Sequence, residues 1–137
     1  MGKRSTGRKL AMQALYQADL QKVTDPSQIL DAFLTEMAQN QQTADWAREL
    51  TLGAFAFKDQ ADEIIVEYAK NWELFRLNPV DKSILRIAFF ELIKGSLPTN
   101  IILNEAIEIA KAFSTDESAT FINGILGNYV SSCLPES

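Results

Sequence analysis

A chain of 137 residues, 47% hydrophobic and 23% charged, is long enough for one domain with a buried core and too apolar for a disordered tail. No apolar run approaches bilayer length, and the basic start leads into "LAMQALYQADLQ" rather than a signal-peptide core. The formal charge of -5 is unevenly spread: through Lys22 there are five Lys/Arg and one acid, and the rest holds eight bases and seventeen acids.

Apolar residues recur at spacings of three and four, and strand-like alternation is nearly absent, which predicts an all-α fold. Ser5 or Thr6 is expected to cap a first helix running to about Lys22. Its inner stripe is Ala11, Ala14, Leu15 and Ala18, small enough for close helix contact. In "VTDPSQ", Asp25 precedes Pro26 at a first helical position, and the second helix turns Ile29, Leu30, Phe33, Leu34 and Met37 inward. After the polar "AQNQQT", the stretch from Ala44 to Trp72 reads as one helix or two, broken at Gly53 or Lys58–Asp59. Trp46, Leu50, Ala54, Phe57, Ile64, Ile65 and Tyr68 keep its period, and "WELFRL" is expected as a short helix.

"NPVDKSILRIAFFELIKG" is the best-marked element. Asn78 caps it, Pro79 takes its first position, Asp81 faces its positive end and Gly95 ends it. From Ile84 to Ile93 it is apolar nearly all round, so it is expected at the centre of the fold. Arg86 within it must then be paired, with Glu105 as the expected partner, while Lys82 is expected outside. The next helix, in "LPTNIILNEAIEIAKAF", turns Ile102, Leu103, Ala106, Ile107, Ala110 and Phe113 inward. Thr115 or Ser114 caps the last, in which Gly124 and Gly127 are expected to admit close backbone approach. The sum is a compact bundle of about seven helices, one domain over residues 1–137.

No catalytic residues emerge. The chain has no histidine, the commonest general base and metal ligand, and no glycine-rich phosphate loop or nucleophile–base pair, so neither metal nor cofactor is expected. Cys133 is the only cysteine, which fits a reducing cytoplasm. The first helix does carry recognition chemistry. Lys9, Gln13, Tyr16 and Leu20 fall on one arc, and a cation, an amide and a ring together suit single-stranded RNA. Lys3, Arg4, Arg8 and Lys9, without acids nearby in sequence, present a positive field to a polyanion. The bland alternative is a solvated face on a basic, frayed terminus. In "STDESATF", Ser118, Thr120 and Phe121 accompany backbone N–H groups, although Asp116 and Glu117 already serve the helix end.

Three stretches resemble one family. "GRKLAMQALYQ" is similar to the "R-x-x-A-x-x-x-L-Y" opening of the NusB family of bacterial transcription antitermination factors. "PVDKSILRIAFFEL" resembles its "VDR-x-ILR-x-A-x-YEL" segment, and the stretch from Pro98 to Leu126 resembles its "INEA-x-E-x-AK … FVNG-x-L" ending. Residues 23 to 70 match only as helices. The resemblance implies two packed three-helix-like halves and binding to boxA-type RNA of ribosomal RNA leader transcripts. It implies NusE, a ribosomal small-subunit protein, as co-binder, with NusA, NusG and RNA polymerase in the same complex. For some relatives it implies a free homodimer. The family's basic motif falls on Arg4, Arg8 and Lys9, with Lys3 beside them and Gln13 further along. Its tyrosine at the RNA–NusE junction is Tyr16, its NusE-facing acid is Asp81, and its segment at the last helix falls on Glu117, Ser118 and Phe121.

This chain has fewer arginines in the basic motif than the family pattern, Lys82 for a common arginine and Phe90 for a common tyrosine. Ser114 and Gly127 depart from a common glycine and acid. Two other readings share the fold class: the RNA-binding domain of a ribosomal RNA cytosine methyltransferase, which requires this chain to be a fragment, and a helical protein adaptor that does not touch RNA.

Overall fold

The structure, a computed structural model, describes residues 3–37, 40–69 and 77–133. The described residues form seven helices: α1 (Lys3–Gln21), α2 (Ser27–Met37), α3 (Gln41–Ala56), α4 (Lys58–Tyr68), α5 (Pro79–Lys94), α6 (Thr99–Phe113) and α7 (Asp116–Cys133). The short helix expected over "WELFRL" lies, apart from Leu77, outside the described residues.

α5 is the axis. Asn78 Oδ1 accepts the Val80 N–H at 2.8 Å, Pro79 needs no N–H partner in the first turn, and Gly95 closes the helix at φ 72°. Ten of its sixteen residues are buried, so its middle keeps almost no solvent face, and α1, α3, α4, α6 and α7 all pack on it. α1, α2 and α3 make one three-helix unit around Leu10, Ala14, Leu30 and Ala47. α5, α6 and α7 make the other, with α4 laid across α5 and α7. Ala11, Met12 and Leu15 of α1 join the larger core, which ties the two units together.

Several local expectations need correction. α1 is already helical at Lys3, so Ser5 and Thr6 lie inside it, and Ser5 donates instead to Glu105 at 2.6 Å. α2 starts one residue after Pro26, whose carbonyl accepts the Leu30 N–H. The long stretch breaks at Phe57, between the two expected points. Gly53 serves packing: a Cβ there would run into the Phe90 ring. Gly124 and Gly127 do not admit a close neighbour, because a Cβ at either meets nothing within 4 Å. On α6, Ile102, Ala106 and Ala110 are buried as expected and Ile109 joins them, but Phe113 is 40% exposed. Phe113 lies on the inner stripe at the last residue of the helix. Periodicity gives a direction there without guaranteeing a neighbour.

Candidate nucleic-acid interface

α1 and α5 run antiparallel, and two clusters of opposite charges fix their register. At one end Arg8 of α1 donates through Nε and Nη2 to both Glu91 oxygens, at 2.8 and 2.7 Å, and through Nη1 to Glu105 of α6 at 3.3 Å. At the other end Arg86 of α5 grips both Asp62 oxygens of α4 at 2.8 and 2.7 Å. Its Nη1 also donates to Asp19 of α1 at 3.3 Å, and Lys82 reaches Asp19 at 3.2 Å. The polarity is swapped between the ends: α1 supplies the cation at one and the acid at the other. An inverted pairing would set like charges together, and a slipped one would part the opposite charges.

This geometry overturns three expectations. Glu105 belongs to Arg8 and Ser5, not to Arg86, and Lys82 is paired and mostly covered rather than free. Helical spacing within α5 reveals that Arg86 points inward, but the acid it meets depends on which helices lie opposite. The reading of Arg8 as an unpaired cation also fails. Its side chain is 3% exposed, between two carboxylates that come from more than 80 residues away in the chain. Burial alone would lower the affinity of Arg8 and Arg86 for their protons, but the facing carboxylates outweigh it and hold both above the ordinary guanidinium value. Burial would likewise raise the Asp19 carboxyl, and Lys82 and Arg86 together bring it below the ordinary range.

The outer face of α1 is different. Lys9, Gln13 and Tyr16 are half-buried along it, Leu20 is exposed, and Lys9 makes no ion pair among the described residues. The Lys3 side chain lies outside the described structure. Arg4 is exposed, with its guanidinium carbon 4.5 Å from the centre of the Trp46 ring. Trp46 also donates through Nε1 to the Arg4 carbonyl at 3.2 Å. Its helical period marked Trp46 as inward-facing, and nothing in that pattern tied it to the basic segment.

A second constellation forms where the first turns of α5 and α7 meet. Ser118 donates to Asp81 Oδ2 at 2.7 Å and accepts from the Ser114 hydroxyl at 2.9 Å. Thr115 caps α7 by accepting the Ser118 N–H at 2.9 Å. Asp81 is buried, and its Oδ1 has no donor among the described residues. Asp81, Thr115 and Ser118 line an open cavity of about 330 Å³ with Glu117 and Phe121. Asp81, Glu117, Ser118 and Phe121 are thus brought together, and the Lys82–Asp19 pair brings the latter half of α1 to the same end of α5. Among the described residues no group of His, Cys, Asp and Glu could hold a metal ion, and no helix is long and apolar enough to cross a membrane.

Seven helices in two units on a buried axis place the chain among compact all-helical bundle proteins. Residues 5–131 match the model of the NusB family, and the chain belongs to that family. It is 42% identical over 127 residues to the transcription antitermination protein NusB of Bacillus cereus (strain ATCC 14579), covering 92% of this chain and 95% of that one. Against the protein of the same name from Symbiobacterium thermophilum it is 36% identical over 136 residues, covering 93% and 88%. Among solved structures, T. maritima NusB is 32% identical with a TM-score of 0.85, covering 96% of this chain and 92% of that one. A chain in a crystal structure of antitermination factors NusB and NusE in complex with dsRNA has the same fold, with a TM-score of 0.87 at 22% identity and coverage of 96% and 98%.

Proposed function

We propose that this chain is a transcription antitermination factor that binds boxA-type single-stranded RNA of ribosomal RNA leader transcripts jointly with NusE. Family membership supports the role, and the structural neighbour crystallised with NusE and dsRNA supports NusE and an RNA as the pair of ligands, the single-stranded form resting on the chemistry of α1. The observation that carries the reading is the division of labour on α1. Its inner face is locked into the fold, while Lys9, Gln13 and Tyr16 form an outer face with the Lys9 ammonium unneutralised. The ammonium suits phosphate, the amide a base edge and the phenol ring a stacked base. Arg4 adds a second exposed cation, and Arg8 supports the helix from below.

The partner reading rests on the Asp81 cavity. A buried carboxylate oxygen with no donor among the described residues, beside exposed Glu117, suits a cationic side chain of a basic ribosomal protein. Ser118 and Phe121 in the same wall are assigned to RNA, so both ligands would share one rim. NusA, NusG and RNA polymerase complete the complex in this reading, in the cytoplasm. A homodimer of the free chain would cover the RNA face and dissociate when RNA is added, which sedimentation measures. Titration of labelled boxA-type RNA at rising NusE concentration tests the main proposal. RNA should bind the pair more tightly than either protein alone, and by linkage RNA must tighten the protein–protein contact by the same factor. Asp81→Asn, which removes the charge and keeps an oxygen to accept from the Ser118 hydroxyl, should weaken NusE binding and leave binary RNA binding intact. Additive, uncoupled binding would refute joint recognition.

A further inference from the structure

α1 begins against its own electrostatics. Its first turn carries Lys3 and Arg4 and no acid, at the helix end where the peptide dipoles already sum to a positive charge. Gly7 follows one turn later, and a helical glycine weakens a helix relative to alanine. An isolated segment of this kind frays, yet α1 is helical from Lys3.

Trp46 of α3 supplies the hold. Its Nε1 donates to the Arg4 carbonyl at 3.2 Å, and its ring lies under the Arg4 guanidinium at 4.5 Å. The Arg8 guanidinium, itself fixed by Glu91, is 5.5 Å from the same ring. The indole also explains Gly7. A Cβ on Gly7 would sit 2.5 Å from Trp46 Cδ1 and 3.4 Å from the Ala47 backbone nitrogen. Gly7 has helical backbone angles that any residue adopts, so the glycine answers to the indole and not to a turn.

We propose that Trp46 is a positioning residue for the RNA face: it holds the first two turns of α1 helical, so that the cations they carry, Arg4 beside the ring and Lys9 on the outer face, are presented from a rigid helix. The inference rests on the reading of α1 as the RNA-binding helix. Ordering the segment before RNA arrives removes an entropy loss that a frayed terminus would suffer on binding. Trp46 acts through α1 and does not itself touch RNA.

The test uses the full chain and a boxA-type oligonucleotide. Amide hydrogen exchange is followed at Gly7, Arg8, Lys9 and Leu10, the first N–H groups that can bond within α1. Trp46→Ala should speed exchange there, leave Ile84–Leu92 protected, and weaken RNA binding several-fold. Adding Gly7→Ala to Trp46→Ala should reverse both effects. The methyl group then has room, and the Gly-to-Ala gain in helix propensity corresponds to roughly fivefold in the local equilibrium. Trp46→Phe, which keeps a ring and loses the donor, should fall between, and it serves if Trp46→Ala does not fold. Unchanged exchange in the Trp46 variants overturns the proposal. So does an RNA loss that Gly7→Ala fails to recover while restoring protection, because the ring would then be a direct RNA contact. A wild-type chain that binds no such RNA overturns the parent reading, and the exchange data alone then report whether Trp46 orders the helix.

Discussion

The two charge clusters between α1 and α5 look alike on paper and differ in closure. At the Arg8 end the central pair is sealed, with side chains 3% and 5% exposed. At the Arg86 end the arginine is as deeply placed, but Asp19 is 30% and Asp62 16% exposed, and Lys82 shares Asp19. A sealed pair has no solvent to fall back on when one member is lost, whereas an open one can rehydrate its acids. The two ends therefore contribute differently: the Arg8 end fixes α1 in the fold, and the Arg86 end is a connector that links α1, α4 and α5 near the Asp81 cavity.

Breaking the closed end should have the largest effect. Arg8→Ala strands Glu91 in the core and should lower stability by roughly 3–5 kcal/mol, and Arg86→Ala should cost less than this because its acids are wetter. Urea unfolding of both variants ranks the ends, and equal losses would erase the distinction. A smaller effect separates the glycines. Gly53→Ala drives a methyl group into the Phe90 ring and should cost roughly 1–3 kcal/mol. Gly124→Ala meets open space and should stabilise by up to about 1 kcal/mol through helix propensity, so thermal melts should shift in opposite directions.

The smallest effect is a pH dependence at the open end. Asp19 is held below the ordinary carboxylate range in the folded state, so it favours folding above its unfolded pKa of about 4. That contribution is lost as pH falls from there through the lower folded value. Asp19→Asn should flatten the fall of melting temperature with acid over this window. A variant that parallels wild type would show that Asp19 does not carry it.

What could be read from the sequence was local. The ends of α5 were legible because Asn78, Pro79 and Gly95 act on backbone groups within a few residues of themselves. The burial of Arg86 followed from its apolar neighbours, but its partner did not, since Asp62 and Glu105 are indistinguishable until α4 and α6 are placed around α5. The glycine expectations failed for the same reason: Gly53 lies under a ring from another helix instead of breaking its own, and Gly124 and Gly127 lie under nothing. Of the candidate site, the Lys9–Gln13–Tyr16 arc was legible as one helical face. The meeting of Asp81 with Ser118 joins residues 37 apart on two helices, and no periodicity encodes it. Resemblance named those residues for separate roles, and the structure adds the hydrogen bond between them.

Arg8 and Lys9 are neighbours in sequence with opposite assignments, one to the fold and one to RNA, and binding of a boxA-type RNA by three proteins separates them. Lys9→Glu should melt like wild type and bind RNA weakly. The paired change Arg8→Met with Glu91→Met, which removes the buried charges together, should fold and retain RNA binding. With Arg8 withdrawn, Lys3, Arg4 and Lys9 remain, so the wild-type log–log salt slope should be no steeper than about -2, from roughly 0.7 per phosphate. A folded Arg8→Met, Glu91→Met protein that loses RNA while Lys9→Glu binds normally would contradict the account.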